Sequence, residues 1–153
     1  MRNIQHVLLS SEVRDLTEEV GRLFDDLDRS TGASRRAPAG HCNPVLDVQE
    51  TIDALEVVVD LPGVTSEYVR VLIKNAVVIV AGEKPSPYAA GRGDATFTLV
   101  ERSFGRFARA VKLESAVDAG RARAFLSNGE LRVTIPKLDE RRGKEILVPV
   151  TSA

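Results

Sequence analysis

A chain of 153 residues is long enough to bury a real core, and one folded domain is the simplest organisation for it. Its 21 Lys and Arg are spread along the sequence against 22 Asp and Glu, which excludes the basic stripe of a phosphate-tracking surface and with it an expected nucleic-acid partner. The single cysteine, Cys42, excludes an internal disulfide and suits a reducing compartment, while Val7-Leu8-Leu9 is too short for a signal peptide and Ala76 to Ala81 too short for a membrane span, so a cytoplasmic protein with no membrane partner is expected.

From Ser11 the spacing predicts a helix. Val13, Leu16, Val20, Leu23, Phe24 and Leu27 recur at steps of three and four and form an apolar stripe, with acidic and basic residues on the other faces. Ser11 can cap its start and Gly32 can end it. Such a helix ordinarily packs on its own domain. Here Thr31 to His41, rich in Gly, Ala, Ser, Arg and Pro, has a linker composition, so the stripe is expected to seek an apolar partner in another subunit or a client.

From Pro44 the period changes to two. Strands are predicted over Val45 to Glu50, Leu55 to Leu61, Val69 to Lys74, Val77 to Ala81 and Phe104 to Leu113, with Pro62-Gly63 and Asn75-Ala76 as breaks. Glu83 to Ala95 is a long Pro- and Gly-containing loop, and Phe97 to Glu101 is a short strand within the same excursion. Ala122 to Leu126 and Leu131 to Ile135 flank Asn128-Gly129, a dipeptide suited to the positive φ angles of a type I′ turn, and Pro136 stops the second strand. Short strands at this spacing predict an antiparallel, immunoglobulin-like β-sandwich. Leu138 to Glu145 is then a charged extension ending in Ile146-Leu147-Val148-Pro149-Val150. That apolar terminus is read either as a last strand of its own sheet or as a plug for a neighbour's groove by strand addition. The organisation is therefore an arm over 1–42, a sandwich over 43–137 and an extension over 138–153.

No catalytic, cofactor or metal constellation emerges. His41-Cys42 lacks zinc-ligand spacing and a third orienting group. Ser103 lacks a G-x-S-x-G setting, and Gly91-Arg92-Gly93-Asp94 lacks a phosphate-loop pattern. Asp25, Asp26 and Asp28 read as a solvated polar helix face.

Several ordered segments resemble the small heat-shock protein, or α-crystallin, family of the bacterial and plant type. They are Pro44 to Val48, Val57 to Val64 with its Asp60-Leu61-Pro62-Gly63-Val64, Ala81 to Lys84, Glu101 to Arg109, Ala124 to Leu131 with its A-x-x-x-N-G-x-L spacing, and Ile146-Leu147-Val148. Glu114, Glu130 and Arg106 depart from the pattern. The resemblance implies an α-crystallin domain and an ATP-independent holdase that keeps partly unfolded clients from aggregating. It implies self-assembly through a dimer made by a swapped loop strand, with Phe97, Leu99 and Arg109 at subunit contacts, and a larger oligomer held by the tail. The tail anchor is Ile146 with Val148, or Val148 with Val150, entering a groove that Val69 and Val71 help to line. Clients would meet Val13, Leu16, Val20, Leu23, Phe24 and Leu27. The alternative is a non-assembling co-chaperone module of the p23 or CS type, which lacks the terminal anchor and the A-x-x-x-N-G-x-L spacing. A membrane-surface role for the helix fits poorly with its acidic charge.

Overall fold

The computed structural model describes residues 10–31, 42–88 and 96–138, with the side chains of the helix described from residue 14 onward. Among the described residues there are one α-helix, α1 (Ser10–Thr31), and seven strands: β1 (Leu46–Glu50), β2 (Ala54–Asp60), β3 (Val69–Lys74), β4 (Val77–Lys84), β5 (Gly105–Lys112), β6 (Arg123–Ser127) and β7 (Glu130–Pro136). The strands form two antiparallel sheets, ordered β1-β2-β7-β6 and β3-β4-β5. This is the predicted sandwich.

Alternation places the core. Leu55, Val57 and Val59 of β2 and Leu131, Val133 and Ile135 of β7 turn inward from one sheet, and Val69, Val78, Val80 and Phe107 from the other. Burying each such side chain contributes roughly 1.5–3 kcal/mol. β4 is buried on both faces, with Ile79 and Ala81 as inaccessible as Val78 and Val80, so something covers the outside of its sheet. The double-sided apolar run Val77 to Ala81 carries that information in the sequence.

Two turns set the register. Asn128 (φ 52°) and Gly129 (φ 78°) close the β6–β7 hairpin with the positive φ angles predicted for Asn-Gly, and the Gly129 carbonyl accepts a 2.6 Å bond from the Leu61 amide. The β3–β4 turn adopts the same signs at Asn75 (φ 51°) and Ala76 (φ 59°), although alanine lacks glycine's freedom there. Gly82 sits in β4 where a Cβ would lie 2.4 Å from the Tyr68 carbonyl oxygen and 2.5 Å from Phe107. It lets the Phe107 ring lie against the strand.

Two expectations are corrected. Phe97 to Glu101 forms no strand: residues 96–104 run without ladder pairing to any described strand. Extended apolar residues need a neighbour to pair with, and the described residues offer them none. The carboxylates of α1 are not simply solvated, because Asp26 and Asp28 pair with cations of the sandwich.

Candidate functional site

Among the described residues four strands lie at sheet edges, and they meet in two pairs along the sides of the sandwich. On one side β3 faces β6. Their inner faces do not close fully, leaving a groove of about 260 Å³ lined by Val71, Ile73, Ala119, Ala122 and Ala124, with Val133 at its floor. On the β6 side alanines leave it open, with Arg123 beside them. Val71 stands in this groove, whereas Val69 lies deeper, in the core cluster. Ile73 continues the alternation Val69, Val71, Ile73, so the same period that marks the strand also identifies this wall. The three alanines opposite carry no comparable signal, since alanine is as common in a core as in a groove. Ile146, Val148 and Val150 lie outside the described residues.

On the other side β5 faces β1. Arg109 lies opposite Val80 on the inner face of β5. Its guanidinium crosses the gap, donating to the Pro44 carbonyl at 2.6 Å and to Asn43 Oδ1 at 3.3 Å. It thereby ties the entry to β1 against the opposite sheet. Half-buried Cys42 packs beside this entry against the core. The outer edge of β1 carries no partner strand among the described residues.

The unpaired segment before β5 is rooted by aromatic contacts. The Tyr88 ring meets Phe97 edge-on at 4.8 Å and Phe104 at 5.9 Å, and Arg102 lies over Phe104 at 4.9 Å. Beyond that root the side chains leave the body: Phe97 is 51 % exposed, Leu99 73 % and Val100 64 %. Three large apolar residues in one extended segment form an exposed patch.

The fourth surface is occupied. α1 lies on the outer face of β3 and β4, where it covers Ile79 and Ala81. Its Leu27 is 4 % exposed, and Phe24 lies 4.9 Å from the Arg106 guanidinium. Three ion pairs flank the contact: Glu19 with Lys74, Asp26 with Arg70 at 2.8 Å, and Asp28 with Arg106. Arg70 also donates to Ser30 Oγ at 2.6 Å. Passing from Glu19 to Asp26 advances α1 by about 10.5 Å, and passing from Lys74 back to Arg70 covers about 13 Å of strand. The helix therefore runs antiparallel along β3. Hydrogen bonding from Lys74 and from Arg70 holds the Glu19 and Asp26 carboxyls below the usual carboxylate range, against a smaller opposing effect of desolvation. Leu16, Val20, Leu23 and Phe24 are half-buried along this stripe, and Val13 lies one turn earlier in the same helix. The expectation that α1 seeks its partner elsewhere meets a helix docked at home. The sequence suggested the apolar stripe but not the cations waiting 44 to 78 residues away. The expected linker lies mostly outside the described residues.

Among the described residues no group of His, Cys, Asp and Glu is placed to hold a metal ion. No described helix is long and apolar enough to cross a membrane.

Comparison with known proteins places these features. The model of the Hsp20/alpha crystallin family matches residues 47–151. The chain is 32% identical over 126 residues to Heat shock protein 16 of Schizosaccharomyces pombe, an alignment covering 82% of this chain and 88% of that protein. It is 36% identical over 116 residues to Spore protein SP21 of Stigmatella aurantiaca, covering 76% and 67%. Among solved structures it superposes on Heat shock protein 16.0 from Schizosaccharomyces pombe with a TM-score of 0.63 at 32% identity, covering 72% of this chain and 100% of that one. A small heat-shock protein from Xylella fastidiosa, described as having a distinct high order structure, gives 0.60 at 26% identity, covering 70% and 96%.

Proposed function

The chain belongs to the Hsp20/alpha crystallin family, a family of chaperones, and from that premise we propose that it is an ATP-independent holdase that assembles with copies of itself and shields partly unfolded proteins from aggregation. The observation that carries this reading is the pair of unfilled apolar surfaces on an otherwise closed sandwich: the groove between β3 and β6, and the exposed Phe97, Leu99 and Val100. A domain built to act alone would cover both.

Each surface has a matching element in the chain. The segment carrying Phe97 and Leu99 adds to the free edge of β1 in a partner, giving a dimer, with Arg109 beside that edge supporting the contact. Ile146 with Val148, or Val148 with Val150, enters the groove of a neighbour at Val71 and Ile73. One such tail buries two side chains, worth roughly 1.5–3 kcal/mol each, less the cost of ordering the extension. A single contact is weak, and many acting together hold an assembly that still exchanges subunits. The Xylella relative's high order structure agrees with such an assembly. Clients meet the α1 stripe from Val13 to Leu27 when that helix leaves its sheet. Residues 1–42 then serve as arm, 43–137 as scaffold and 138–153 as anchor.

Two measurements test this. A heat-labile client warmed with the protein and no nucleotide stays in the supernatant after centrifugation; a client that pellets as fully as it does alone contradicts the reading. Ile146→Ala with Val148→Ala gives small species by light scattering, and retention of the parent's size rejects the tail anchor.

A further inference from the structure

The outer face of the β3-β4-β5 sheet has a defined chemistry. Leu72, Ile79 and Ala81 form an apolar strip across β3 and β4, and Arg70, Lys74 and Arg106 stand around it. What covers it, α1, has the complementary pattern: an apolar stripe flanked by Glu19, Asp26 and Asp28. All three cations meet one of these carboxylates.

The fit is separable from the fold. The core cluster of the sandwich contains no residue of α1 among those described, so the two sheets are packed without it. The contact also seals incompletely. A cavity of about 140 Å³ remains under the N-terminal half of the helix, bounded by Asp15, Leu16 and Glu19 on one side and Lys74, Val77 and Ile79 on the other. Lys74 and Arg106 keep part of their side chains in solvent, where ion pairs are weakened by salt.

We propose that this face is a receptor for acidic amphipathic helices, that α1 is its built-in occupant, and that an acidic amphipathic helix of another polypeptide takes the place of α1. Recognition rests on three features of the incoming helix: an apolar stripe wide enough to cover Ile79 and Ala81, a carboxylate near its N-terminal half for Lys74, and two carboxylates within one turn of each other near its C-terminal half for Arg70 and Arg106. Because α1 is part of the same chain, it competes at a high effective concentration, on the order of millimolar for a short tether. A partner therefore binds weakly until α1 is loosened.

The probe is a fluorescein-labelled synthetic peptide with the sequence of residues 10–31, titrated with the full chain at low salt and followed by anisotropy. Loosening α1 by Glu19→Gln, Asp26→Asn and Asp28→Asn tightens peptide binding about tenfold or more, because the competitor is weakened and the receptor is intact. Adding Arg70→Gln, Lys74→Gln and Arg106→Gln to that chain abolishes the gain. Leu27→Ser, which loosens α1 through its apolar contact and leaves every charge in place, must tighten binding in the same direction. A peptide of scrambled order and equal composition must not show these gains. Equal affinity across the chains, or equal gains for the scrambled peptide, overturns the proposal. The assay contains no unfolding client, so its outcome is independent of holdase activity.

Discussion

Gly82 and Ala76 show two opposite ways in which one side chain matters. At Gly82 there is no room: a methyl group would press on the Tyr68 carbonyl and the Phe107 ring. Gly82→Ala is expected to cost about 1–3 kcal/mol, as overpacking of a close-packed interior does, read as a lower urea midpoint at unchanged slope. At Ala76 the backbone, with φ 59°, lies where glycine is favoured. Ala76→Gly is expected to raise stability by about 0.5–1 kcal/mol, the relief of left-handed strain less the added freedom of the unfolded chain; a lower midpoint would show that the alanine methyl packs favourably there. Arg109 is a third case. Arg109→Ala removes the donor to the Pro44 carbonyl and should cost about 1–3 kcal/mol, with faster amide exchange at the entry to β1 as its local signature. The Asn128-Gly129 turn was legible in the sequence because its residue types name their own backbone angles. Ala76 was not, since nothing about alanine announces a positive φ. The role of Gly82 depends on a ring 25 residues later in the chain and two strand neighbours, which no local pattern encodes.

At the scale of elements the strands were legible and the docking of α1 was not. Alternation defines each strand because the side-chain period of a sheet is local. Where a helix comes to rest depends on what is placed beneath it. The double-sided run in β4 required a cover, and the apolar stripe of α1 required a surface, but Arg70, Lys74 and Arg106 become one rim only once β3, β4 and β5 pair. The ionic contacts make the docking dependent on pH. The Glu19 and Asp26 carboxyls are held low by their cations in the docked state. A carboxyl with a lowered folded-state pKa contributes stability above its unfolded value, and that contribution is lost as pH falls through the lowered one. Docking of α1 should therefore weaken as pH drops through and below the ordinary carboxylate range. Most of the stability of an amphipathic helix comes from the surface it packs on, so the circular dichroism signal at 222 nm should fall in that window before the sandwich unfolds. The variant Glu19→Gln with Asp26→Asn should lose that step; a step unchanged in the variant would assign it to other groups.

At the scale of the whole molecule, the scaffold is complete and its surfaces are not. The two sheets bury a continuous core from Leu55 to Ile135, while the groove at Val71 and Ile73, the outer edge of β1 and the exposed Phe97 to Val100 segment are left uncovered by the described residues. The missing strand at 97–101 fits the same account: it is a strand in composition with no pairing partner among the described residues. That part of the site was legible as apolar residues in an improbable place, and illegible as geometry because no described strand of the chain pairs with it. On the proposed function, the work of the protein is to present apolar surface in a form that other chains reach before they reach each other. The most direct measurement follows the turbidity of a heat-labile client warmed alone and with an equimolar amount of this protein, with no nucleotide present. The account predicts that light scattering by the client is suppressed in proportion to the protein added. Scattering that rises as fast and as far as for the client alone would contradict it.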